Sequence, residues 1–143
     1  MTATYMDASN IVKVLLVEDR HHEARTIWEA DTKRFGSRVV GVEVAAAIAA
    51  GVRSGRIPRD AVDDARVATH RLLARLRPVE LSHAIAEGAA TLAERHALKG
   101  ADAIHLASGL AIADHTLVFA TWDRRLHRAA RAEGLRVAPA ALD

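Results

Sequence analysis

Five short apolar or β-branched runs recur along the chain, at residues 3–6, 38–40, 78–81, 117–121 and 135–138, and between successive runs lie segments long enough for helices. Apolar runs of that length read as strands, and regular strand–helix alternation is the pattern of an α/β domain built on a parallel sheet. The expected helices cover residues 9–18, 20–34, 42–53, 59–76, 83–96, 101–113 and 124–133. Gly36, Gly55 with Pro58, Pro78, Gly100 and Gly134 stand at the joints, where breakers belong. A chain of 143 residues without internal repeats or low-complexity tracts is expected to be one domain, residues 1–143, with its own core.

Composition narrows the chemistry. The absence of cysteine removes disulfide staples and thiol-based metal or nucleophile chemistry, and it fits a reducing compartment. No apolar run reaches the ~18–20 residues that span a bilayer, and the first residues lack a basic segment followed by an apolar one. The expectation is a soluble, cytoplasmic protein with no membrane partner. Net charge is only +2, but 17 of the 20 basic residues are arginine, the side chain suited to bidentate phosphate or carboxylate contacts. Aromatic content of 3% leaves little for base stacking, so any nucleic acid would be held through its phosphates.

The stretch "SNIVKVLLVED" admits two readings. Read from Val14, "VLLVED" looks like a buried strand ending in the acids Glu18 and Asp19, as in a phosphate-accepting receiver domain. Ile11, Val12, Leu15 and Leu16, however, share one helical face. The receiver's partners are also missing: Asp60, Asp63 and Asp64 follow no apolar run, and Lys99 follows a helical segment. A helix preceded by Asp7 is the better reading, with Glu18 and Asp19 near its C-terminal end.

Four other acids lie in apolar surroundings: Asp7 after "ATYM", Glu43 in "VVGVEVAAAIAAG", Asp102 in "GADAIHLASG" and Asp123 after "LVFATW". An unpaired buried carboxylate is costly, so each demands a reason. Asp7 and Asp123 are equally readable as helix N-caps, and Asp102 as a favourable charge in a first helical turn. Glu43 resists that account, because residues 46, 47 and 50 on its face are all alanine. As a set, two acids end strands and two begin helices, at the sheet edge where ligands collect. A cluster of like charges needs a cation or protons, and oxygen-only donors favour a hard ion such as Mg²⁺ or Mn²⁺. Ser9 has no nucleophile-elbow context, there is no phosphate-loop or dinucleotide glycine pattern, and His21 and His22 read as a solvated turn. His105, one helical turn beyond Asp102, reads first as a partly buried, satisfied histidine, with contact to a phosphate or assistance at the site as the alternative.

The blocks "YMDASNIVKVLLVED", "RVVGVEVAAAIAAGVRSGRI", "HALKGADAIHLASGLAIA" and "LVFATWDRRLHRAARAEGLRVAP", taken in order, resemble the PIN-domain nucleases, particularly the VapC-type toxins of toxin–antitoxin pairs. The resemblance runs from Tyr5 to Pro139. It implies a three-layer α/β/α PIN-like domain with a central, mainly parallel sheet, and a divalent-metal-dependent endoribonuclease using Mg²⁺ or Mn²⁺. It implies that Asp7, Glu43, Asp102 and Asp123 form the catalytic, metal-holding set, with Ser9 and Thr121 supporting it. It also implies an RNA substrate, a cognate VapB-type antitoxin and a homodimer. Ala8 stands where the family commonly has Thr or Ser, and Trp122 where it has Phe or a smaller residue. Arg124, Arg128 and Arg131 form a stripe beginning beside Asp123, expected to hold RNA phosphates. The competing readings are a nonenzymatic PIN-like module that binds RNA or protein, and a metal-dependent phosphatase of small substrates.

Overall fold

The computed structural model describes residues 1–16 and 19–142. Its elements are β1 (Thr2–Met6), α1 (Ala8–Leu15), α2 (His21–Glu29), β2 (Thr32–Ser37), α3 (Val40–Arg53), a 3₁₀ turn (Arg59–Ala61), α4 (Val62–Leu73), β3 (Arg77–Val79), α5 (His83–His96), α6 (Gly100–Leu110), β4 (Val118–Ala120), α7 (Arg124–Ala132) and β5 (Arg136–Ala138). The five strands form one sheet in the order β3-β2-β1-β4-β5, and every neighbouring pair is parallel.

Strand residues alternate between the two faces of a sheet, and β1 uses that alternation to feed two cores. Ala3 and Tyr5 pack with Phe119, Leu106 and Leu126 beneath α5, α6 and α7. Met6 packs with Ile11, Trp28, Val40, Val44 and Ala120 beneath the layer of α1 to α4. These two cores, one on each face, make the α/β/α sandwich. From β1 the chain steps outward to β2 and β3, then returns to lay β4 and β5 on the other side of β1. Such a reversal of strand order opens a crevice at the strands' carboxyl ends, here just beyond Met6 and Ala120.

The second strand falls earlier than its apolar signal. Residues 38–40 were expected to form it, yet Val39 caps α3 and buried Val40 is that helix's first residue. The strand is instead Thr32–Ser37, "TKRFGS", which pairs with β1 through Thr2↔Thr32 to Tyr5↔Phe35. Accordingly the helix expected over 20–34 stops at Glu29. Arg34 makes a charged residue tolerable in that strand: its guanidinium donates to the carbonyls of Trp28 (2.7 Å), Ala30 (3.1 Å) and Thr32 (3.3 Å), the first two at the C-terminal end of α2. The segment expected as one helix over 59–76 divides into the 3₁₀ turn and α4. The first helix ends at Leu15; Asp19 lies in a turn, and Glu18 lies outside the described residues.

Tyr5 and Phe119 stack at 5.0 Å with rings 7° from parallel, and Gly109 of α6 meets them. A Cβ at Gly109 would stand 2.7 Å from Phe119 Cδ2 and 3.6 Å from Tyr5 Cγ. Overpacking of this kind costs about 1–3 kcal/mol, against about 1 kcal/mol of helix propensity gained. Gly109→Ala is therefore expected to lower the urea midpoint, whereas Gly100→Ala, where a Cβ meets nothing within 4 Å, leaves it unchanged or raised.

Candidate active site

The carboxylate of Asp7 sits at the mouth of the crevice and is 3% exposed. It is the first residue after β1 and the N-cap of α1, where Oδ1 accepts the amide hydrogen of Asn10 (3.3 Å). The Ser9 hydroxyl donates to the same oxygen at 2.5 Å, and the Thr121 hydroxyl donates to Oδ2 at 2.7 Å. Those hydroxyls are held in turn: the Trp122 amide donates to Ser9 Oγ (2.8 Å) and the Asp123 amide to Thr121 Oγ1 (3.1 Å). The loops after β1 and β4 are thus fastened together through one carboxylate.

Asp123 caps α7, accepting the Leu126 amide at 2.8 Å, and is exposed. Capping, which the sequence left open for Asp7 and Asp123, holds for both, and it uses only one carboxylate oxygen of each. Asp102 stands in the first turn of α6. Burial raises its pKa above the ordinary aspartate value, and the charges of Asp123 and Asp7 add to the rise. Burial likewise raises Asp7, opposed by the charge of His105 and the hydrogen bonds from Ser9, Thr121 and Asn10.

Glu43, in the first turn of α3, is reached from the far side of the crevice by His105, whose Nε2 lies 2.5 Å from Glu43 Oε1. Of the alanines that share its face, Ala46 and Ala50 are exposed and Ala47 is half-buried, so that face opens to solvent. His105 is 1% exposed, and its Nδ1 meets the Tyr5 hydroxyl at 2.7 Å. Burial opposes the imidazolium, but the Glu43 hydrogen bond and the surrounding carboxylates outweigh it, and the ring's pKa is raised. Sequence reasoning favoured a merely satisfied His105 over a site role, and missed Tyr5. The available signals were the three-residue spacing from Asp102 to His105 and the two-residue spacing from Tyr5 to Asp7.

Trp122 is pinned at the rim: its indole Nε1 donates to Asn10 Oδ1 at 2.8 Å. Lys13 Nζ and the Arg20 guanidinium lie 5.0 and 4.7 Å from its ring centroid. Arg124, Arg128 and Arg131 are exposed along α7 and, with His127, Ala141 and Leu142, line a cleft of about 240 Å³. Among the described residues no three acid or imidazole side chains close into a ready-made metal cage. The four carboxylates form an open, mutually repelling set with oxygen donors only.

An α/β/α sandwich with four acids at a parallel-sheet switch point defines a class, and residues 4–132 match the family model described as PIN domain. The chain belongs to the PIN-domain family. It falls in the VapC branch, being 45% identical over all 143 residues, and 99% of the relative's length, to Ribonuclease VapC45 of Mycobacterium tuberculosis (strain CDC 1551 / Oshkosh). Among solved structures, a protein from Pyrobaculum aerophilum superposes with a TM-score of 0.68 at 18% identity, covering 95% of this chain and 83% of the other. A toxin–antitoxin complex from Klebsiella pneumoniae has a chain that superposes with a TM-score of 0.66 at 20% identity, covering 99% and 100%.

The raised pKa of Asp7 has a definite sign for stability. The folded chain holds that proton more tightly than the unfolded chain, so the stabilisation is complete below the ordinary value of 3.8 and is lost as pH rises through the folded value. In a chelating buffer at neutral pH, Asp7→Asn is expected to melt above wild type by about 2–6 °C. Melting curves across a pH series check this, with the gap closing as pH falls toward 3.8.

Proposed function

We propose that the chain is a VapC-type toxin: an endoribonuclease that hydrolyses RNA phosphodiester bonds with a divalent ion and is inhibited by a cognate antitoxin. The observation that carries this reading is the placement of Asp7 directly after β1, Glu43 and Asp102 in the first turns of α3 and α6, and Asp123 at the start of α7, in a chain aligned end to end with a VapC ribonuclease. Asp7 and Asp102, pushed above the ordinary carboxylate range, belong to a set that a cation stabilises. The donor chemistry fits Mg²⁺ or Mn²⁺, which Asp7, Glu43, Asp102 and Asp123 would hold. Such an ion, when bound, supplies water activation and charge neutralisation at a phosphodiester.

The chain's own residues do the positioning. Ser9 and Thr121 fix the two oxygens of Asp7 and prevent its carboxylate from rotating. Asp123 begins the helix that carries Arg124, Arg128 and Arg131, so the acid that faces the scissile phosphate is followed by cations for the flanking ones. Trp122 borders the crevice with Lys13 and Arg20 beside its ring, which sets a wall that RNA must pass. A cognate VapB-type antitoxin is the proposed inhibitor, in keeping with the neighbour solved as a toxin–antitoxin complex. A second copy of the chain is the proposed dimer partner, and the cytoplasm is the proposed place of action.

Total cellular RNA is expected to be cut at discrete positions only when Mg²⁺ or Mn²⁺ is supplied, and Asp7→Asn is expected to slow cutting by about 100-fold or more. Unchanged cleavage by Asp7→Asn, in gel-resolved time courses, would sink the assignment. Arg124→Gln, Arg128→Gln and Arg131→Gln combined are expected to weaken RNA binding and flatten its log–log salt dependence by about 2, at ~0.7 per lost single-strand phosphate contact. Filter binding at several salt concentrations reads that slope.

A further inference from the structure

We propose that Tyr5 and His105 form a buried strut that aims Glu43 into the crevice, with His105 a positioning residue for the carboxylate rather than a participant in bond cleavage. The inference rests on the ribonuclease reading in that Glu43 is taken to bind a cation. The strut joins three elements: the Tyr5 hydroxyl on β1 meets His105 Nδ1 on α6 at 2.7 Å, and His105 Nε2 meets Glu43 Oε1 on α3 at 2.5 Å.

Both linking rings are immobilised. Tyr5 is wholly buried, stacked on Phe119, and set edge-on to His105 with centroids 5.8 Å apart and planes 69° from parallel. A carboxylate only accepts, which sets the sense of the Nε2 contact. When the Tyr5 hydroxyl donates to Nδ1, the neutral ring carries its hydrogen on Nε2, and a charged ring carries hydrogens on both nitrogens. In either state Nε2 donates and Glu43 accepts.

Glu43 has no other means of orientation on its own helix. The residues one turn to either side, Val39, Val40, Ala46 and Ala47, have no polar side-chain atoms, and the Glu43 side chain is 29% exposed. A glutamate on such a face would sample several rotamers. One oxygen is tied to His105, so the cost of ordering the carboxylate is met by folding rather than by ligand binding.

The test is Mn²⁺ affinity, measured by isothermal titration calorimetry on full-length wild type, His105→Leu, His105→Gln and Tyr5→Phe, with metal-free melting temperatures recorded alongside. Losing an outer partner of a metal ligand costs about 10- to 100-fold in affinity, which is the expected loss for His105→Leu. His105→Gln, which keeps a donor near the position of Nε2, is expected to restore most of it. Tyr5→Phe, which keeps the ring stack and removes only the hydroxyl, is expected to weaken Mn²⁺ severalfold. A folded His105→Leu protein with wild-type Mn²⁺ affinity overturns the strut; if that variant does not fold, unchanged affinity in Tyr5→Phe overturns it instead. Failure of wild type to bind Mn²⁺ overturns the metal-dependent reading and the strut with it, a result distinct from binding that the variants leave intact.

Discussion

A buried carboxylate at the end of a central strand is the constraint around which the rest is arranged. Asp7 must follow β1, because only there does the sheet's order of strands reverse and leave a crevice. A carboxylate so placed is tolerable only when its oxygens are occupied, and the chain supplies two hydroxyls and an amide. Two of the donors come from the turn that follows β1, and the third comes from the loop after β4. The pairing of Tyr5 with Phe119 and of Met6 with Ala120 fixes the relative height of the two strands. A one-residue slip would carry Thr121 away from Asp7 and turn Tyr5 and Met6 toward the wrong cores.

Charge explains the rest of the crevice. Four acids on four elements repel each other, so their elements must be held by packing rather than by attraction among the acids. The two cores do this work, and the hydrogen bonds at helix starts give Asp7 and Asp123 a stabilising role, with capping using a single oxygen of each. Glu43 is the one acid met by a basic ring, and it is also the one whose own helix gives it nothing to lean on.

Much of this was legible in the sequence, for stated reasons. Apolar runs marked β1, β4 and β5, since apolar or β-branched side chains dominate these strands, and Asp7 and Asp123 stood out because charge interrupts such runs. Strand β2 was misplaced because its positions include Lys33 and Arg34, and what licenses Arg34 is a set of carbonyls at the end of α2, a tertiary fact invisible to pattern. The Val39–Val40 pair then attracted the strand assignment that the charged segment could not claim. Within the site, the acids were readable, but the link from Glu43 to His105 joins residues 62 positions apart and from there to Tyr5 another 100. Only the folded arrangement of the sheet between two helix layers brings them together.

The distance in sequence between Asp7 and Thr121 has a consequence for the order of synthesis. Their hydrogen bond spans 114 positions of a 143-residue chain. Chains emerge from the ribosome N-terminus first, so Asp7 appears early, on a strand that will stand in the middle of the sheet but whose neighbour β4 does not yet exist. Until residues 118–123 have emerged and β4 has docked beside β1, one wall of the crevice and the last acid are missing. For a chain whose proposed substrate is RNA, the full set of four acids can therefore assemble only after residues 118–123 have emerged and β4 has paired with β1.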